Sequence, residues 1–168
     1  MAAPLAPEAT EATEATVQRA LDRFRQDPAG DWVAVLACGH CQHMRHAPPF
    51  TNREWVTSEA GRGAKLGTLL DCAACARFEL PDTFVPYKRT PEFTQDTVPA
   101  GLLRDHSTKR GVWARIVVLE GGLRYTVDGL KVSFDLSPEA SGVVVPDLLH
   151  RVAPLGDVRF YVEFFAAP

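Results

Sequence analysis

The chain has 168 residues, 46% of them hydrophobic and 23% charged, with a formal net charge of −3. That composition is globular, and the length suits one ordinary domain, or a small domain followed by one of about 90 residues. The charge argues against a nucleic-acid binder, which needs concentrated Lys and Arg. No apolar run approaches the roughly 18 residues of a membrane span, and Met1 to Thr16 has neither the basic nor the apolar region of an export signal. A cytoplasmic protein without membrane contact is expected.

In chain order, Glu-Ala-Thr recurs three times within residues 8–16. A tract so poor in large apolar residues cannot offset its own ordering entropy, so residues 1–16 are expected to be a disordered tail. Val17, Ala20, Leu21 and Phe24 fall at helical spacing. A hairpin of Asp22–Gln26 and Trp32–Ala37 around the turn residues Asp27-Pro28-Ala29-Gly30-Asp31 competes with that helix. Beyond it, Pro48-Pro49 halts regular structure and Trp55-Val56 is expected to pack over the next feature. Gly61, Gly63 and Gly67 mark a loose return path.

That feature is a cluster. All four cysteines and three of the five histidines lie within Cys38–His46 and Cys72–Cys75. Thiolates and imidazoles are the side chains that bind Zn²⁺, and two Cys-x-x-Cys hooks close a tetrahedral shell. A disulfide framework needs an oxidising compartment, and a redox dithiol needs one hook, not two. Spacing alone favours Cys38, Cys41, Cys72 and Cys75. Because such a site takes four ligands, His40, His43 and His46 can equally be ordinary hydrogen-bonding residues beside it, His46 above all.

Gly30-Asp31-Trp32-Val33-Ala34, Cys38-Gly39-His40, Gln42-His43, Arg45-His46, Pro48-Pro49, Trp55, Gly67 and Leu70-Asp71-Cys72 with Cys75 resemble a small bacterial domain of unknown function with presumed zinc ligands. In that pattern the position of Cys41 is not cysteine. The resemblance therefore implies Cys38, Cys72 and Cys75 with His40 or His43, and the fourth ligand stays open among Cys41, His40 and His43. A structural, closed site without catalytic water is expected.

Between Arg77 and Gly101, Pro81, Pro86, Pro91 and Pro99 mark an extended connector anchored by Phe84 and Tyr87, with a domain boundary near Leu80. The expected organisation is a tail (1–16), a zinc-ribbon-like domain (17–79) and a β domain (80–168). In the last, Val112–Leu119 reads as a strand and Gly121-Gly122 as a turn. Leu123, Tyr125 and Val127 alternate with polar residues, Asp128-Gly129 turns the chain, and Leu130 to Leu136 alternates again. Gly142–Val145, Leu149–Ala153 and Val158–Phe165 complete a mainly β fold, expected to be a closed or double-sheet jelly roll.

Pro86-Tyr87-Lys88-Arg89-Thr90-Pro91-Glu92-Phe93, Val98-Pro99-Ala100-Gly101-Leu102-Leu103, His106-Ser107-Thr108-Lys109, Gly111-Val112-Trp113, Leu119-Glu120-Gly121, Pro146, His150 and Arg159-Phe160-Tyr161-Val162-Glu163-Phe164 are similar to the TehB/YeaR-like family of small cupins, over about residues 80–166. That resemblance implies a cupin barrel, a role in the response to tellurite, other oxyanions or nitrogen oxides, and metal binding. Nothing in the chain reads as a nucleotide-fold domain, so methyl transfer is not expected.

His150 shares parity with Leu148 and Val152 and points inward if they do. With His106, it is expected to hold a second divalent metal, Glu163 or water completing the shell. Thr108, Trp113, Arg115 and Tyr125 are expected around the same pocket. The first functional reading is a metal-binding module or sensor for a small molecule or oxyanion, with homo-oligomerisation left open. A non-haem iron or manganese oxygenase is the alternative, and a zinc-ribbon adaptor for nucleic acid or protein the third.

Overall fold

The computed structural model describes residues 15–168, so most of the expected tail lies outside the described residues. Two antiparallel sheets form the architecture. The first runs β3 (Cys41–His43), β2 (Trp32–Leu36), β1 (Gln18–Gln26), β4 (Leu69–Asp71) in that spatial order. The competition at residues 17–24 is resolved as strand. Val17, Arg19 and Leu21 are buried at period two, and β1 has partners on both sides, a gain an isolated helical pattern cannot match. The β1–β2 turn is held by Asp27, whose Oδ1 accepts from the backbone N–H groups of Ala29 and Asp31, both at 2.9 Å.

The glycine-containing return path is partly helical. α1 (Glu59–Lys65) starts at Ser58, whose side chain accepts from the Gly61 N–H at 3.0 Å. A single turn, α2 (Ala73–Ala76), follows Cys72. Among the described residues, no helix is long and apolar enough to cross a membrane.

The second sheet is built on two long strands, β7 (Trp113–Val127) and β10 (Arg151–Ala166), paired along most of their length. β5 (Val85–Arg89) and β6 (Phe93–Thr94) add to β10, while β8 (Val132–Leu136) and β9 (Gly142–Val144) add to β7. The result is one sheet curled into a half-barrel, where a closed or double-sheet jelly roll was expected.

Gly121-Gly122 does not turn the chain; it lies within β7 opposite an irregularity in β10, where the register steps from Pro154↔Leu123 to Val158↔Gly121. Gly121 has φ 77°, and a Cβ there would overlap the Asp157 backbone. A second irregularity, where Arg159↔Glu120 gives way to Phe160↔Val118 and leaves Leu119 as an extra residue, changes the parity of β7. Ala114, Ile116 and Val118 face the inner core before it, and Leu123, Tyr125 and Val127 after it. One apolar face thus stays inside along a bent strand. For the same reason Leu149–Ala153 and Val158–Phe165, expected as two strands, join in β10.

The outer face near the start of β7 is also covered. Trp113, Val145 and Phe165 belong to the core that holds Val17, Leu21, Leu36, Cys38, Cys72 and Cys75, so hydrophobic packing runs unbroken across residue 80.

Candidate functional site

The Cys/His cluster is assembled by a β-turn and a helical turn. Leu36 and Gly39 form the first: the Gly39 N–H donates to the Leu36 carbonyl at 2.8 Å and the Leu36 N–H to the His40 carbonyl at 2.9 Å. Gly39 sits at φ 95°, and a Cβ there would overlap the Phe84 ring. The turn presents Cys38 and His40 to one point, and α2 presents Cys72 and Cys75 to the same point.

Nδ1 of His40 lies 3.4 Å from Cys38 Sγ, 3.4 Å from Cys72 Sγ and 3.6 Å from Cys75 Sγ, and Cys38 Sγ is 3.9 Å from Cys72 Sγ. A tetrahedral zinc with sulfur at 2.3 Å and nitrogen near 2.05 Å has edges of about 3.6 Å (N–S) and about 3.8 Å (S–S). The four donors therefore fit such an ion with little movement, and they could bind a metal.

Electrostatics agree. Burial alone would depress His40, but the thiols of Cys38 and Cys72 against Nδ1 outweigh it and push its pKa up to about 10. Cys38 and Cys75 pull the Cys72 thiol well down, whereas Cys38 and Cys72 push Cys75 up. Three buried sulfurs contend for protons, and a divalent cation answers that demand for positive charge. Buried Arg19 adds to it: its guanidinium favours the thiolate form of Cys75, and its Nη2 donates to the Pro146 carbonyl at 2.5 Å. With three thiolates, an imidazole and a divalent ion the shell carries −1, which Arg19 offsets.

The other candidates lie elsewhere. Cys41 opens β3 and is exposed, its sulfur 3.7 Å from Arg25 Nη2. His43 is exposed and pairs with Asp27 at 3.1 Å, and His46 Nδ1 accepts from the Arg53 N–H at 3.0 Å. The geometry thus selects His40 over Cys41 and His43. Trp113 supports the site from the second sheet: its Nε1 donates to the Cys38 carbonyl at 2.7 Å, and its ring stands edge-on to His40 with centroids 5.3 Å apart. Neither Arg19 nor the tie from Trp113 was signalled by the sequence, whereas Phe84, expected as an anchor of the connector, does pack against Gly39.

A second site lies inside the half-barrel, in a cavity of about 510 Å³. His106 and His150 both line it. They face each other across a short antiparallel bridge, with mutual backbone hydrogen bonds of 3.0 and 2.9 Å and ring centroids 4.2 Å apart. Nδ1 of His106 lies 2.8 Å from the Arg104 carbonyl and Nδ1 of His150 lies 3.0 Å from the Leu148 carbonyl. A carbonyl only accepts, so both Nδ1 atoms donate and each neutral ring keeps Nε2 as an acceptor. Burial lowers the pKa of His150 to about 4, keeping it neutral near pH 7.

Thr108 also lines the cavity, but its hydroxyl is committed to the Val112 carbonyl at 2.6 Å. Trp113, Arg115 and Glu163 are on the outer side of the pleat and do not line the cavity. Trp113 meets the metal cluster, Arg115 stacks over Phe165, and Glu163 alternates with the inward Val162 and Phe164. Tyr125 is buried behind His150, ring to ring at 5.6 Å. Glu163 is thus not placed as a third ligand.

A thiolate-imidazole centre joined to a half-barrel with an apolar cavity defines this molecule, and the similarities divide along the same line. Residues 23–79 match the family "Protein of unknown function (DUF3565)", and residues 88–162 match the model of the TehB-like domain. YeaR of Escherichia coli (strain K12) is 27% identical over 104 residues, 54% of this chain and 84% of YeaR. A probable S-adenosyl-L-methionine-dependent methyltransferase, TehB of Haemophilus influenzae, is 30% identical over 83 residues, 46% of this chain and 29% of TehB. The crystal structure of that TehB aligns with a TM-score of 0.47 and 29% identity, over 51% of this chain and 32% of TehB. That of an E. coli K12 protein aligns with 0.49 and 25%, over 54% and 97%. These matches do not support the cupin assignment expected with the TehB likeness.

Proposed function

We propose that the protein is a small-molecule-binding protein held together by a structural zinc ion. Zinc is supported by the donor set, Cys38, His40, Cys72 and Cys75, whose spacing suits a closed tetrahedral shell. With four protein donors such an ion keeps no position for water, so it would hold the fold rather than activate a nucleophile.

The observation that carries the binding function is the cavity, an apolar chamber whose polar end is a pair of imidazoles with unused Nε2 acceptors. The family resemblance of about residues 80–166 is what brings a stress response, to tellurite, other oxyanions or nitrogen oxides, into the proposal. The chain spans 29% of TehB, and methyl transfer is not part of the proposal.

A divalent metal on His106 and His150, completed by water, is a second reading. The adjacency of the rings favours it, and its open positions would suit oxygenase-type chemistry. Titrating Co²⁺ into metal-free protein separates the sites. One equivalent should bring intense thiolate-to-cobalt absorption that His40→Ala weakens. A second, His150-dependent equivalent would support the cavity metal. The binding function itself is tested by titrating zinc-loaded protein with 1-anilinonaphthalene-8-sulfonate: one saturable site, weakened by the cavity-narrowing Val162→Phe, is expected. Unsaturable binding, or none, would overturn it.

A further inference from the structure

The cavity's chemistry is specific enough to name a class of ligand, on the premise that the chamber is a binding site. Its walls are side chains such as Ile116, Val144, Val152, Phe160 and Phe164, so the body of the occupant must be apolar. The polar end is defined by what it lacks. Among the described residues neither His106 nor His150 has a hydrogen-bond partner at Nε2, and with Nδ1 pledged to the Arg104 and Leu148 carbonyls the Nε2 of each ring, in its neutral form, offers a lone pair and no proton. Two acceptors side by side, centroids 4.2 Å apart, call for a donor.

Charge narrows the choice. Among the described residues no Asp or Glu lines the cavity, while the exposed Lys88 and Lys109 do, at its rim. That is a poor setting for a bare cation. A carboxylate or fully ionised oxyanion fares no better at the inner end, because an acceptor-only group would meet two further acceptors there.

We propose that the cavity binds a small uncharged molecule with an apolar body and a hydroxyl of the phenol or alcohol type, whose O–H donates to Nε2 of His150 or His106. The volume accommodates one or two fused rings.

The test uses the full zinc-loaded chain and three probes of one shape: 2-naphthol, naphthalene and 2-naphthoate, titrated calorimetrically at pH 7.5. The expected result is 2-naphthol binding about tenfold more tightly than either of the others, the factor of one hydrogen bond to a buried acceptor. His150→Phe should remove that preference while leaving naphthalene affinity within about threefold. His106→Leu, at a less buried position, serves as a second variant should His150→Phe fail to fold. Naphthalene or 2-naphthoate binding as tightly as 2-naphthol would overturn the proposed class and leave the cavity as a binding site. If none of the three binds, the premise falls and the inference with it.

Discussion

Trp113 donates its indole N–H to the backbone carbonyl of Cys38, 75 residues away, and so ties one strand of the cavity wall to the Cys/His cluster. The next residue along the strand, Ala114, lines the cavity. Trp113→Phe keeps most of the ring and removes the donor, leaving a buried carbonyl unpaired. A loss of about 1–3 kcal/mol is expected in urea unfolding. Metal affinity, measured against a competing chelator, should fall about tenfold because the loop carrying Cys38 and His40 loses its support.

Metal removal should destabilise both halves together. Cys38, Cys72 and Cys75 share a hydrophobic cluster with Trp113, Val145 and Phe165, so loosening of the cluster reaches β7 and β10. An independent zinc domain would instead unfold while sparing the half-barrel. After chelation, hydrogen exchange should rise at Trp113–Ile116 and Val162–Phe165 as well as near the ligands. Unchanged protection there would refute the coupling.

Ligand assignment predicts unequal effects of neighbouring substitutions. Purified His40→Ala and Cys72→Ser should retain well under half of the bound zinc, measured by elemental analysis. Cys41→Ser and His43→Ala should keep the full amount and shift stability by no more than about 0.5 kcal/mol, as surface changes do. Loss of zinc from Cys41→Ser would return the fourth position to Cys41.

His150 makes part of the stability depend on pH. Burial lowers its pKa from 6.5 to about 4; repulsion from His106 adds to this, while the Leu148 carbonyl and Asp105 oppose it. The folded protein therefore binds fewer protons than the unfolded chain between those values. Stability fully present above about pH 6.5 is lost as pH falls toward 4, by an amount on the order of 3 kcal/mol. The check is the difference in unfolding free energy between the wild type and His150→Phe at pH 7.5 and pH 4.5, because the metal centre is common to both. A difference that does not change with pH would refute the assignment.

Much of this was legible because pleat and turn chemistry are local. Asp27-Pro28-Ala29-Gly30-Asp31 and Asp128-Gly129 sit where the chain reverses, and the alternation through Leu123, Tyr125 and Val127 marks the buried face. What hid the rest was register. Cys-x-x-Cys spacing suggests Cys41, yet pairing Cys41 with Val35 in β3 turns its side chain outward, and the positive φ of Gly39 aims His40 inward. Trp113, Arg115 and Glu163 carry the chemistry of pocket residues, but their parity in β7 and β10 sends them to the outer face. Nor does local sequence announce that Gly121-Gly122 will lie inside a strand, because that depends on the irregularity opposite it in β10.

The position of β10 at the middle of its sheet has a consequence for biosynthesis. Every other strand of the half-barrel leaves the ribosome before it, yet β5 and β6 have no hydrogen-bonded neighbour until it arrives, and one side of β7 stays open. A nascent chain that stalls before Arg151 therefore displays a long apolar edge of the kind that recruits chaperones or seeds aggregation. Phe165 joins the core around Cys38, Cys72 and Cys75 only after the far end of β10 has been made, so the four donors can come together well before their full packing is in place.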